Sequence, residues 1–225
     1  MNKSIRFISV ILMGLISFQI YAYDFESDGI RYNILSETDR TIQVTTKKDW
    51  NNRPEYSGSI VIPSKVIYQS KTYTVTGIEE SAFYSCEGLT SITLPNSITT
   101  IGNWAFSLCE NLTSLELPNS ITTIGDGVFN YCSSLKSLTL PNSITAIGYY
   151  AFRSCWFLRS ITLPNSLTSI GKSAFQNCNH LTSITLPNSI TSIGESAFEG
   201  CSSLTSITLP NSITSIGYYA FSACI

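Results

Sequence analysis

From Leu89 onward the apolar positions return every 23 residues without slippage. The copy Leu89–Asn111 reads LTSITLPNSITTIGNWAFSLCEN, and further copies open at Leu112, Leu135, Leu158, Leu181 and Leu204. Within one copy, Leu89, Ile92 and Leu94 are spaced for an extended segment that sends them inward and Thr93 outward. Pro95 ends that strand because it has no N–H for a ladder, and Asn96-Ser97 supply turn chemistry. Ile98 and Ile101 start a second short extended piece, after which Gly102 lets the backbone bend. Ala105, Phe106 and Cys109 then fall at i, i+1 and i+4, which predicts one helical turn with Phe and Cys inward. Units this small at a fixed period predict a solenoid, in which each coil buries its apolar side chains against the next.

Two rows follow from that geometry, because equivalent positions in neighbouring coils stack at about 4.7–4.9 Å. Phe83, Phe106, Phe129, Phe152, Phe175, Phe198 and Phe221 form a spine down the coil centre. Burial of each ring contributes about 1.5–3 kcal/mol, and nothing in the row calls for a cofactor. Cys86, Cys109, Cys132, Cys155, Cys178, Cys201 and Cys224 form the second row. Seven cysteines in an exported chain ordinarily mean disulfides. One cysteine per coil at one phase reads instead as a ladder of buried free thiols, since a bridge also needs Cβ vectors aimed at each other. No C-x-x-C pair or Cys/His cluster is present to hold zinc.

The ends differ from the repeat. Lys3 and Arg6 precede the mostly apolar run Phe7–Ile20, and Ala22 offers a small residue for cleavage. That pattern reads as a signal peptide over residues 1–22, and a 14-residue run is shorter than the 18 or more a membrane span needs. Residues 23–58 read as a β cap: Ile30, Tyr32 and Ile34 alternate with polar neighbours, as do Ile42 and Val44, and Asp49–Pro54 reads as a loop. The solenoid then spans 59–225, with a divergent first coil over 59–88, five full coils over 89–203 and a last coil over 204–225. The first coil carries an insertion around Lys65–Tyr73, read as a small hairpin or loop. The last coil has no polar cap after Cys224, which points to a truncated chain or to end-to-end self-association through that face.

Charged residues make up only 12 % of the chain and the formal net charge is −2. Without Lys3 and Arg6 the balance is 11 basic against 15 acidic residues, or −4. A chain so poor in clustered Lys and Arg is not built to hold nucleic-acid phosphates. His180, the only histidine, stands beside Asn179 with no nucleophile, acidic partner or ligand spacing near it in sequence. There is no G-x-S-x-G elbow, no phosphate loop and no paired carboxylate; the chain reads as a non-catalytic protein without cofactor or metal.

The motif LTSITLPNSITSIGxxAFxxC, nearly unaltered in Leu181–Cys201 and Leu204–Cys224, resembles leucine-rich repeats of the bacterial surface-protein subclass called BspA-like or Treponema-type. The resemblance covers about Ile60 to Ile225, and the opening Tyr23–Tyr32 resembles mature members from gut and oral bacteria. Where the general leucine-rich pattern has an inward Asn, three residues after the last strand leucine, this chain has Ser97 and its equivalents. Ser hydroxyls or backbone groups are therefore expected in place of an asparagine ladder. The resemblance implies a secreted or surface-attached protein that recognises other proteins, such as host matrix or cell-surface proteins. The alternatives are a structural or glycan-binding surface module, or a fragment of a larger surface protein.

Two outward rows are candidates for contact. The strand row Thr90, Thr113, Lys136, Arg159, Thr182 and Thr205 carries a basic spot at Lys136 and Arg159, while Glu116 interrupts the row of Thr93, Thr139 and Thr162. The row after each Ile-Gly carries Trp104, Tyr149, Tyr150, Tyr218 and Tyr219, whose rings offer rigid area with a polar tip. Both rows have a plainer reading, as a wetted β surface and as rings packed along the turn.

Overall fold

Apolar residues at 23-residue spacing can leave water only if each coil lies flat on the next, and the backbone pairing has that form. The computed structural model describes residues 23–47 and 54–224. The predicted signal peptide, residues 49–53 of the predicted loop and Ile225 lie outside the described residues.

The N-terminal part holds β1 (Phe25–Ser27), β2 (Ile30–Ser36) and β3 (Thr41–Val44), which pair antiparallel in that order. Their alternation buries Ile30, Tyr32, Ile42 and Val44. Next come β4 (Gly58–Val61), β5 (Lys65–Tyr68) and β6 (Lys71–Ile78); β5 and β6 form an antiparallel hairpin where the insertion lies. From Leu89, front and back strands alternate: β7 (Leu89–Thr93), β8 (Thr100–Ile101), β9 (Ser114–Glu116), β10 (Thr123–Ile124), β11 (Ser137–Thr139), β12 (Ala146–Ile147), β13 (Ser160–Thr162) and β14 (Ser169–Ile170). Two further back strands, β15 (Ser192–Ile193) and β16 (Ser215–Ile216), follow.

From β7 on, every ladder is parallel and matches residues 23 apart, Ser137 with Ser160 in front and Ile147 with Ile170 behind. The front positions of the next two coils form no strand, yet Ile184 is as deeply buried as Leu115. The N-terminal sheet runs into the back wall, because β6 pairs in parallel with both β3 and β8. Glu79 fastens that junction. Its carboxylate accepts hydrogen bonds from the amides of Asn33 at 3.2 Å and Gln43 at 3.1 Å, and from the hydroxyl of Thr45. The ring of Tyr56 closes the N-terminal end of the phenylalanine column, 4.7 Å from Phe83, and its hydroxyl donates to the Thr45 carbonyl at 2.9 Å.

The third wall departs from the expected helical turn. No helix occurs among the described residues; each coil instead makes consecutive tight turns, such as Ser107 N–H to Trp104 O and Cys109 N–H to Phe106 O. The cause is two left-handed residues per coil, four apart, at Trp104 (φ 58°) and Leu108 (φ 61°) and their equivalents. A left-handed residue reverses the sense of the chain, so a right-handed helix cannot propagate through the pair. The freed donors bond across coils: Trp104, Phe106 and Leu108 N–H reach the carbonyls of Asp126, Val128 and Asn130 at 2.8–3.0 Å. Phe and Cys point inward as expected, since Phe106 and Cys109 are 0 % exposed.

Side chains reinforce the stack. The phenylalanine rings from Phe83 to Phe221 stack with centroids 5.2–5.7 Å apart and planes within 16° of parallel. The serine row takes the place of an asparagine ladder: Ser97, Ser166, Ser189 and Ser212 donate to carbonyls 22 residues back at 2.5–2.7 Å, and Ser120 does the same to Ile98. Each thiol from Cys109 to Cys224 points at the phenylalanine carbonyl 26 residues back, at 3.0–3.2 Å. All seven cysteines are free, and burial pushes the thiols of Cys109, Cys132 and Cys178 well above their ordinary range.

Two outcomes follow from this packing. Phe152→Ala opens a void between two stacked rings, and urea denaturation should show a loss of about 3–5 kcal/mol. Ellman's reagent at pH 8 should find at most the half-buried Cys224 in the native protein and all seven thiols after denaturation. A reading of several reactive native thiols would refute the sealed ladder.

Candidate recognition surface

A repeat supplies its own control: a residue that one coil carries and the others lack is not required to form the coil. On the front wall most positions are uniform. Ser91 pairs with Ser114 and Ser137 with Ser160, as Thr93 pairs with Glu116 and Thr139 with Thr162. Lys136 and Arg159 are exposed on adjacent coils, tied by Arg159 N–H to the Lys136 carbonyl at 2.9 Å. Among the described residues neither cation lies in a salt bridge, and Glu116 is also exposed and outside any ion pair.

The turn wall is less uniform. Trp104 occupies a left-handed position and lies over Gly127, the residue at the same position one coil on. A Cβ on Gly127 would stand 2.0 Å from the indole, and Gly127 itself has φ 61°. The gap lets Trp104 reach the second coil along, where it stacks on Tyr150 at 6.3 Å and 28°. The Arg153 guanidinium lies 5.6 Å from the Tyr150 ring and 5.9 Å from the Tyr131 ring. Tyr131 meets Trp156 edge-on at 6.0 Å. His180 Nδ1 lies 2.8 Å from the Trp156 carbonyl, and the imidazole packs on Phe157 at 4.9 Å. Tyr149 is exposed beside this network, its N–H bonded to the Asp126 carboxylate at 2.8 Å.

The structure thus joins Trp104 and Tyr150 to Tyr131, Arg153, Trp156, Phe157 and His180, of which the row-by-row reading singled out only the first two. Glu116 stands apart on the front wall. Tyr218 and Tyr219 repeat the positions of Tyr149 and Tyr150 on the last described coil, where they are 84 % and 70 % exposed. The missed signal lies at the corner where the turn wall meets the front wall. Successive coils place there Glu87-Gly88, Glu110-Asn111, Ser133-Ser134, Trp156-Phe157, Asn179-His180 and Ser202-Ser203. Only one of these dipeptides is apolar, and Trp156 and Phe157 are 45 % and 47 % exposed.

Two shallow concavities lie elsewhere among the described residues. One of about 390 Å³ runs along Asn119, Thr139, Asn142, Thr162 and Asn165, without a titratable side chain. Another of about 270 Å³ lies between the N-terminal sheet and β4, where Lys47 is bonded to Glu26 at 3.0 Å. No group of His, Cys, Asp and Glu able to hold a metal occurs among the described residues, and no helix there is long and apolar enough to cross a membrane.

Parallel 23-residue coils with inward leucines define a leucine-rich repeat solenoid. The chain belongs to the BspA-type leucine-rich repeat family, whose model matches six copies over residues 59–182 and 169–225. Among solved structures it is similar to a leucine-rich repeat protein of T. pallidum, with 31 % identity, a TM-score of 0.76, and coverage of 87 % of this chain and 86 % of the other. A leucine-rich repeat protein from Bacteroides ovatus matches at 30 % identity and a TM-score of 0.71 over 89 % of this chain. The match spans only 57 % of that protein's length. A leucine-rich cell surface protein from Faecalibacterium prausnitzii matches at 25 % identity and a TM-score of 0.62, over 82 % of this chain and 54 % of the other. No curated protein matches the chain.

The seat of Trp104 can be tested directly. Gly127→Ala adds a methyl group under the indole at a left-handed residue, so it should lower stability by about 1–2 kcal/mol and shift the tryptophan emission. Unchanged emission would show that Trp104 does not lie over this glycine.

Proposed function

We propose that the protein is an exported, non-catalytic recognition module that binds other proteins through the connected Trp, Tyr and Arg side chains around residues 131–159. The observation that carries this reading is Trp156-Phe157, an exposed apolar pair at a corner where the neighbouring coils are polar. Five coils fold without it, so the fold gives no reason for it. Trp, Tyr and Arg are the residues that dominate protein-interface energies. Here the rings already pack against one another and against Arg153, so little side-chain freedom remains to be lost on binding. Similarity to a leucine-rich cell surface protein supports the location, and the signal-like N-terminus agrees with it.

The test is adhesion of the purified protein to immobilised matrix proteins, mucins and whole bacterial cells. W156S/F157S gives this corner the Ser-Ser that Ser133-Ser134 and Ser202-Ser203 already supply elsewhere, so folding should be unaffected. Binding should fall at least about tenfold, as for loss of an interface hot spot. K136T/R159T restores the threonine row and separates the front wall from the aromatic network. Absence of binding to every surface in the panel would sink the reading, and full binding by W156S/F157S would move it to another face.

A further inference from the structure

The charges along the solenoid are sorted. Between Lys71 and Lys136 the chain has Glu79, Glu80, Glu87, Glu110, Glu116 and Asp126 and no basic residue. Between Asp126 and Glu195 it has Lys136, Arg153, Arg159 and Lys172 and no acidic one. The corner between turn wall and front wall condenses this into four successive rungs, bearing Glu87, Glu110, Lys136 and Arg159. Backbone bonds hold the rungs one above the other: Thr113 N–H to Thr90 O at 3.0 Å, Ser134 N–H to Glu110 O at 3.0 Å, and Phe157 N–H to Ser133 O at 3.2 Å. All four charged side chains are exposed, and none takes part in a salt bridge among the described residues.

The order minus, minus, plus, plus, on rungs about 5 Å apart, becomes its own complement when turned through a two-fold axis. We propose that the partner recognised at this corner is a second copy of the chain, lying antiparallel. Glu87 of each copy faces Arg159 of the other, and Glu110 faces Lys136. The same rotation brings Trp156 and Phe157 to the other copy's rung of Glu87 and Thr90, beside the Glu87–Arg159 pair. Tyr131, Tyr150 and Arg153 flank the contact on the turn wall, giving an aromatic centre with a charged rim. An acidic or basic partner of another kind would satisfy only half of the corner, whereas a second copy satisfies both halves at once.

This inference rests on the corner being the recognition surface, and sedimentation equilibrium of the purified protein tests it apart from adhesion. The expected result is a monomer–dimer equilibrium whose dissociation constant rises about tenfold or more between low salt and about 0.5 M salt, as exposed ion pairs are screened. K136E/R159E places like charges opposite each other and should weaken the dimer at least about a hundredfold. E87K/E110K should do the same, and the quadruple variant E87K/E110K/K136E/R159E should dimerise again, because it only exchanges the two halves. W156S/F157S should be monomeric. A wild-type protein that stays monomeric to about 0.2 mM, or a quadruple variant that fails to recover dimerisation while keeping its folded circular dichroism, overturns the proposal. If the protein is monomeric yet W156S/F157S still loses adhesion, the self-pairing fails while the recognition surface stands.

Discussion

A 23-residue coil encloses too little volume to dry its own side chains, so Phe106 leaves water only between Phe83 and Phe129. The stacked rings, 5.2 and 5.7 Å apart on either side, fix the spacing that the rest of the backbone must keep. Back strands, the paired front strands and the turn wall bond to neighbouring coils at that step. Their donors run in opposite directions: Gly102 N–H reaches back to Ile78, while Phe106 N–H reaches forward to Val128. Each coil is thereby held from both sides, and stability becomes a sum over neighbours. Polar side chains are drawn into the same step. The serine hydroxyls and cysteine thiols are short enough to reach a carbonyl of the coil before without leaving their own rung.

Much of this was legible in the residues alone, because periodicity carries it. Inward Leu89, Ile92 and Leu94, the phenylalanine spine and the unpaired thiols all follow from equivalent positions stacking. The serine row was also legible from its departure from the asparagine of other leucine-rich repeats. The helical turn was not. Ala105, Phe106 and Cys109 have helical spacing, but the spacing of inward side chains does not record the sign of φ. Trp104 and Leu108 are left-handed, though neither residue type signals it; among their equivalents only Gly127, Gly200 and Asn177 would have given a hint. Glu79 was missed for a related reason. Its partners Asn33, Gln43 and Thr45 come from two strands far away in sequence, and no short motif links them.

The candidate surface was half legible. Reading each outward row separately picks out Trp104, Tyr149 and Tyr150, and separately Lys136 and Arg159. It does not reveal that Arg153 lies between Tyr150 and Tyr131, or that Tyr131 leads on to Trp156, because these contacts run diagonally between rows. It also gives weight to Tyr218 and Tyr219, which have the right identity and position but join no ring contact among the described residues. Comparison across coils at one position is the sharper tool. Most coils put polar residues at the corner, and the coil that does not is the one that joins the aromatic network.

The left-handed position explains why the turn wall can differ from coil to coil. Glycine is the least strained residue there and Gly127 supplies it in one coil, yet the other equivalent positions hold Ser81, Trp104, Tyr150, Ser173, Ser196 and Tyr219. A side chain at a left-handed residue costs about 1–2 kcal/mol. From Ser81 to Ser196 a cross-coil bond at each such residue holds the conformation whichever side chain is present: Trp104 N–H reaches Asp126 as Tyr150 N–H reaches Lys172. A residue whose conformation is enforced by its neighbours is free to vary in its chemistry. Trp104 and Tyr150 offset part of their strain by stacking on each other, which serine at the same position cannot do. The uniform walls therefore keep the register, and the strained wall is where one coil acquires an identity the others lack.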